Sequence, residues 1–210
     1  MPSRTTLAQL ESWISAERLA KYRNTSPEPV GLYEWNGRLA SAAFELIGHT
    51  EIVLRNAICQ HLAAKSQPIP WYDDPYYRFN AQTLKDIAKA KTRAAFPSGQ
   101  ITEGKVTAEL SFGFWRFLLS STYQTTVWPR ASRAFQGIPR SRRNRAAIEQ
   151  QVIQINDTRN RIAHQEPIFH LPPARLEQDI VTFANQINPQ AAAWIASTSR
   201  IAATLADRPT

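Results

Sequence analysis

The chain has 210 residues, 43% of them hydrophobic, so it can bury a sizeable core and fits one domain over residues 1–210 better than two. Its single cysteine excludes an internal disulfide framework, and no apolar run approaches the roughly 20 residues of a membrane-spanning helix. The net charge of +8 favours an anionic partner, for which nucleic acid is the commonest candidate.

The N-terminal part of the chain is predicted to be helical. Its first residues, Met-Pro-Ser-Arg-Thr-Thr, lack the apolar core of a secretory signal, so we expect a cytoplasmic protein with no membrane association. Apolar residues at three-to-four spacing predict an amphipathic helix from Thr6 to about Tyr22. A longer pattern predicts one helix from about Gly31 to Lys65, which could kink near Gly48. The aromatic stretch Trp71–Phe79 should form an ordered loop, whose rings either pack or stack on bases.

The rest of the chain also shows helical patterns and no sustained alternation, which predicts an all-α fold. The predicted helices are Gln82–Ala95, Thr102–Ala108, Leu110 to about Ser121, about Arg142 to Ala163, Ala174–Ile187 and Pro189 to about Leu205. The stretch Trp128–Phe135 is ambiguous.

Positive charge is concentrated between Arg130 and Arg161, where eight arginines and no lysine face only Glu149 and Asp157. A guanidinium group can hold phosphate oxygens with two parallel hydrogen bonds and can stack on bases. The segment is therefore a candidate phosphate-binding surface, and a solvated helix face with a basic loop is the alternative. The candidate RNA-binding residues are Arg140, Arg142, Arg143, Arg145 and Arg161.

The end of the helix predicted for Arg142–Ala163 carries several groups that could do chemistry. Asn160 and His164 stand four positions apart and share a helix face. Arg159 lies about 140° around the helix from His164, at roughly 100° per residue, but its long side chain can reach the same groove. RNA cleavage through the 2′-hydroxyl needs a base, an acid and positive charge on the phosphorane, which histidine and arginine supply.

On the residues alone, the simpler interpretation is that His164 interacts with the C-terminus of a helix while the arginines stay solvated. The proposed chemistry requires no metal, and no cofactor is expected. The spacing of His49, His61, His170 and Cys59 fits no common zinc pattern.

Three segments resemble a known family. The run Arg159–His164 matches the Arg-Asn-x-x-x-His motif of HEPN-superfamily ribonucleases, and the longer string through Ile168 resembles the Abi-like proteins of bacterial abortive infection. Glu51-Ile-Val-Leu-Arg-Asn-Ala-Ile is similar to the family's Glu-x-x-Leu-Arg-Asn signature. Leu110-Ser-Phe-Gly-Phe-Trp is similar to its Ser-Phe-Gly-x-Trp segment. Together the matches span about Tyr33 to Phe169.

The resemblance implies a HEPN-like helical bundle, here with additional N- and C-terminal helices, whose protomers pair so that two motifs face one composite cleft. It implies that His164 is the general acid or base, Arg159 the phosphate stabiliser and Asn160 the positioning residue. Glu51 and Arg55 either support the site, by ordering His164 or the RNA, or form a structural ion pair.

The function implied by the resemblance is that of a metal-independent endoribonuclease of a bacterial anti-phage or toxin system, acting on RNA as a homodimer. An antitoxin or a small non-coding RNA would be a further partner. Two alternatives stay open: a non-catalytic RNA-binding module that uses the same basic groove, and an interaction protein whose motif helix serves only the dimer seam.

Overall fold

The computed structural model describes residues 5–96 and 99–209 and contains helices and no strand in those ranges, which confirms the all-α prediction. The first four residues, which entered the expectation about a secretory signal, lie outside the described residues. Within the described ranges, no helix is both long enough and apolar enough to cross a membrane.

The predicted N-terminal helix is two helices, α1 (Leu7–Ile14) and α2 (Ala16–Arg23). They are separated by Ser15, whose φ of 80° interrupts the helix. The side chain of Ser15 accepts a hydrogen bond from the backbone N–H of Arg18 and so caps the start of α2. The apolar spacing was read correctly, but the prediction of one uninterrupted helix was wrong.

The central element is α3 (Pro29–Ser66), a helix of 38 residues that continues through Gly48. At 1.5 Å per residue it is about 57 Å long. Leu39, Leu46 and Leu54 are fully buried. The helices that pack against α3 include α2 and four later ones, at Trp128–Ala131, Arg145–Ala163, Pro173–Ile187 and Ile201–Ala206. The predicted long helix is confirmed, and it supplies the surface on which the other elements assemble.

Short elements connect α3 to the second long helix. They are α4 (Ala81–Ala95), α5 (Glu103–Glu109), α6 (Phe112–Leu118), α7 (Trp128–Ala131) and 3₁₀ turns at Trp71–Asp73, Pro75–Tyr77, Ser121–Tyr123, Ser132–Ala134 and Arg140–Arg142. In the aromatic loop, Trp71 and Tyr77 are fully buried, and the Trp71 ring lies 5.8 Å from that of Trp115. Most of the loop's aromatic rings therefore pack in the core.

The second long helix is α8 (Arg145–Ala163), which starts after Asn144 because the Asn144 side chain accepts a hydrogen bond from the N–H of Ala147. It is followed by α9 (Pro173–Ile187), α10 (Pro189–Ser197) and α11 (Ile201–Ala206). The predicted last helix is thus divided between α10 and α11. The indole N–H of Trp35 donates to the Thr204 carbonyl at 2.7 Å and ties α11 to α3.

The segment after α7 passes very close to the end of α9. The N–H of Gly137 donates to the Gln186 carbonyl at 2.9 Å. A Cβ atom on Gly137 would lie only 1.9 Å from the carbonyl oxygen of Asn185. Glycine is therefore required at this contact for lack of space.

Candidate active site

The Arg-Asn-x-x-x-His motif lies at the C-terminal end of α8, which ends at His164. The next residue, Gln165, adopts a left-handed conformation with φ of 57°. Its N–H donates to the Ile162 carbonyl at 2.9 Å, and the N–H of Glu166 donates to the Arg161 carbonyl at 2.8 Å. This Schellman pattern turns the chain away from the helix directly after His164 and leaves the imidazole exposed.

Asn36 of α3 holds the segment that follows the motif. It is 6% exposed, and its Oδ1 atom accepts hydrogen bonds from the N–H groups of Ile168 at 2.8 Å and Phe169 at 3.0 Å. The guanidinium of Arg18 donates to the carbonyl of Gln165 at 3.3 Å. Sequence reasoning missed Asn36, although a polar residue beside Trp35 in an apolar helix pattern was an available signal.

Glu51 and Arg55 of α3 and Arg159 of α8 interact electrostatically, and we call them the charged cluster. Burial raises the pKa of Glu51, while the positive charges of Arg159 and, to a lesser extent, Arg55 oppose that rise. In the described part of the chain, Glu51 forms no direct ion pair with either arginine. The structure thus places Glu51 within electrostatic reach of Arg55 on its own helix and of Arg159 across the contact between α3 and α8.

Arg159 has an unsatisfied hydrogen-bond donor. Its guanidinium carbon lies 5.7 Å from the centroid of the Phe44 ring, as in a cation–π contact. The Nε atoms of both Arg159 and Arg55 are buried, and neither has a hydrogen-bond partner among the described residues. Buried donors usually have partners, and a charged donor bonds most strongly to an anionic oxygen. As whole residues Arg55 and Arg159 are only partly buried, so a phosphate would be bound by their terminal guanidinium N–H groups and not by the buried Nε atoms.

Asn160 and His164 are exposed, and neither side chain forms an ion pair within the described ranges. The N–H of His164 donates to the carbonyl of Asn160 at 2.9 Å, as part of the helix. Among the described residues, no side-chain hydrogen bond or ion pair orients the imidazole. In the described part of a single chain, His164 therefore lies at the surface, and no second proton-transfer group is hydrogen-bonded to it.

The five arginines predicted to bind RNA are in two different situations. The guanidinium of Arg143 donates to the carbonyls of Ile138 and Ser132, at 3.0 Å each. That of Arg145 donates to the carbonyl of Leu119 at 2.9 Å. These two side chains join segments of the fold, which the charge pattern of the sequence did not indicate.

The other three arginines are exposed. Arg140 and Arg142 lie on the 3₁₀ turn before α8. Arg161 forms an ion pair of 3.6 Å with Glu166, and both side chains are about half exposed. These residues are accessible to an anionic partner.

Cys59 is a poor candidate for covalent chemistry. Burial raises the pKa of its thiol to about 12, which opposes formation of the reactive thiolate. Its sulfur lies 3.7 Å from the Thr107 hydroxyl, within a hydrogen bond. We therefore assign the thiol a packing role between α3 and α5.

The fold and the site define an all-helical protein with an arginine- and histidine-bearing helix end beside a charged cluster. This chain belongs to the Abi-like protein family, whose model matches residues 7–170. The match begins in α1, contains every candidate site residue and stops before α9. It indicates a function related to abortive infection. Comparisons with curated proteins and with solved structures find no match.

Proposed function

We propose that this chain is a metal-independent endoribonuclease of the HEPN type that acts in abortive infection or as a toxin. The observation that carries the proposal is that Arg159, whose guanidinium forms no ion pair among the described residues, lies at the same helix end as the exposed His164. This arrangement offers a charged donor for a phosphate and a solvent-accessible imidazole. Membership of the Abi-like family supports the biological setting.

In the proposed reaction, the O2′ atom of the RNA attacks the adjacent phosphorus as a base removes its proton. The bond from phosphorus to O5′ breaks, and an acid protonates the leaving oxygen. The products are a 2′,3′-cyclic phosphate and a 5′-hydroxyl. Arg159 stabilises the negative charge of the phosphorane, and Asn160 positions the phosphate or the imidazole.

The reaction needs two proton-transfer groups, whereas each motif contains one histidine. A homodimer would supply two copies of His164, one as the base and one as the acid. This requirement supports a composite site between two chains. An antitoxin or a small non-coding RNA would then hold the dimer inactive until infection.

The test compares His164→Ala with His170→Ala on purified protein and end-labelled RNA in the presence of EDTA. His170 is exposed like His164 but lies outside the motif, so it is a matched control. General acid–base catalysis contributes about 100-fold or more, so we expect at least that loss for His164→Ala. The cleavage rate of His170→Ala should stay within about twofold of the parental rate, because this histidine takes no part in the proposed proton transfer.

The chemistry of the products decides between the proposal and its alternatives. Products ending in a 2′,3′-cyclic phosphate are expected. Cleavage by His164→Ala at the parental rate would remove that residue from the mechanism. Tight, salt-sensitive binding by the parent without any cleavage would instead identify an RNA-binding module. If Arg159→Ala changed the mass in solution and no variant affected RNA, the chain would be an interaction protein.

A further inference from the structure

A cavity of about 460 Å³ adjoins the charged cluster, and one face of α3 forms its floor. Tyr33, Gly37, Ala40 and Phe44 follow each other at spacings of four, three and four residues, which places them on one side of the helix. The small residues Gly37 and Ala40 leave space between the two aromatic rings. A Cβ atom on Gly37 would meet nothing within 4 Å. We call this cavity the Tyr33–Phe44 pocket.

The Tyr33–Phe44 pocket lies directly beside the candidate site. Phe44 is also the ring against which the guanidinium of Arg159 lies, at 5.7 Å. Ile162 and Gln165, on either side of His164 in the chain, line the opposite wall. A group that enters the pocket is therefore next to a phosphate bound at Arg159.

Three carboxylates line the pocket, those of Glu34, Glu45 and Glu166, beside polar groups that can donate as well as accept. Glu34 is exposed and forms no ion pair in the described part of the chain. Glu45 also lines the pocket, and its Oε2 atom accepts two hydrogen bonds from Arg200, at 2.7 and 3.0 Å. Carboxylates repel a phosphate and attract N–H groups. Between its two aromatic rings, the pocket thus favours a planar group that carries no negative charge and presents N–H donors.

Resting on the proposed function, we propose that the Tyr33–Phe44 pocket binds a nucleobase with an exocyclic amino group, from the nucleotide beside the scissile phosphate. Tyr33 and Phe44 provide stacking surfaces, as aromatic residues do for single-stranded RNA. Guanine, adenine and cytosine can donate their amino hydrogens to Glu34. Uracil has no amino group, and its single N3–H donor lies between two carbonyl oxygens that a carboxylate repels, so uracil is disfavoured. The pocket would therefore set the base preference of the cleavage.

The test uses DNA oligonucleotides that contain a single ribonucleotide, so that cleavage occurs at one bond. The four bases are placed in turn on each side of that bond, and single-turnover rates are measured. On one side, we expect the parent to cut substrates with an amino-bearing base about tenfold faster than those with uracil. Glu34→Gln should reduce this preference to about twofold, and Glu177→Gln, a carboxylate outside the pocket, should retain it.

A second variant tests the open volume of the pocket rather than the charge of Glu34. Gly37→Leu places a side chain in the open volume of the pocket and should also abolish the preference. Leucine favours a helix more than glycine does, so the thermal unfolding temperature of Gly37→Leu should not fall below that of the parent. If Glu34→Gln and a stably folded Gly37→Leu both kept the parental preference, or if the parent had none, the pocket proposal would be overturned while the nuclease proposal stood.

Binding measurements test the pocket proposal separately from the nuclease proposal. Uncleavable 2′-O-methyl oligonucleotides of each base are titrated into the parent and into Glu34→Gln. Weaker binding of the uracil sequence, with the difference lost in Glu34→Gln, supports the pocket even when no cleavage is seen. Equal affinity for all bases in the parent overturns it.

Discussion

At the scale of single residues, Glu51 is the most informative member of the charged cluster. Its pKa is raised by burial even though two arginines oppose the rise, so its ionised form is less favourable in the fold than in water. The folded state then holds the proton of Glu51 more tightly than the unfolded chain does. Its contribution to stability is complete below its ordinary pKa of about 4.3 and is lost as the pH rises through the raised value. The structural-ion-pair interpretation therefore loses support.

We predict that Glu51→Gln does not lower the free energy of unfolding at neutral pH. We also predict that it slows RNA cleavage about tenfold, which corresponds to the loss of about 1.4 kcal/mol of transition-state stabilisation. The glutamine avoids the cost of a partly buried charge, while Arg159 loses an anion that orients it. Urea unfolding between pH 4 and pH 8 should show the stability of the parent, relative to the variant, falling as the pH rises. Clear destabilisation by Glu51→Gln at pH 7 would contradict the prediction.

At the scale of helices, apolar periodicity predicted most elements but not their interruptions. The pattern that continues from Ile14 to Leu19 indicates one helix, yet Ser15 occupies a positive φ that L residues rarely adopt. The division between α10 and α11 was missed in the same way. Apolar periodicity does not detect such interruptions, because the spacing continues across them while a capping side chain, here Ser15, starts a new helix.

For the candidate site, as for the helices, the sequence predicted the positions of the main residues but not their contacts. The motif could be placed at a helix end from its spacing and from Pro167, and the signature on α3 identified Glu51 and Arg55. The partners of individual polar groups could not be predicted. Asn36 bonds a backbone N–H 132 positions away, and Arg143 bonds carbonyls 5 and 11 positions before it in an irregular segment. Only the folded backbone shows that these groups lack a helical partner and need one from a side chain.

We predict opposite effects for alanine at two glycines. Gly137→Ala should lower the free energy of unfolding by at least about 3 kcal/mol, because its Cβ atom would collide with the Asn185 carbonyl of α9. Gly48→Ala should raise it by about 0.5–1 kcal/mol, because Gly48 lies within α3 and has open space at the Cβ position. Chemical denaturation of both variants tests this. Similar effects of the two substitutions would show that the contact with α9 is not a close one.

At the scale of the whole molecule, the net charge of +8 is not all available to a ligand. We predict that replacing Arg140 and Arg142 with alanine lowers the slope of log affinity against log salt for single-stranded RNA by about 1.4, which corresponds to two phosphate contacts. Arg143→Ala should instead reduce stability, because two backbone carbonyls lose their donor. An unchanged slope in the double variant would exclude these arginines from the RNA surface.

Assembly is the remaining property at this scale, and the surface around the site suggests where a second copy would bind. Ile52 of α3, the residue after Glu51, is 44% exposed. Trp194 of α10 is 50% exposed, and its ring lies 4.6 Å from that of His49. Apolar side chains exposed together commonly mark an interface. Covering them with a second chain would bring two motifs near each other.

We therefore predict that Ile52→Asp converts a dimer into a monomer and lowers RNA cleavage by about 100-fold or more, because each monomer then lacks the second proton-transfer group. Ile101→Asp is the matched control, since Ile101 is 51% exposed in the loop before α5 and should affect neither property. Sedimentation and cleavage are measured on the same samples, with thermal unfolding to verify the fold. A monomeric Ile52→Asp that cuts RNA at the parental rate would mean that one chain contains the complete site.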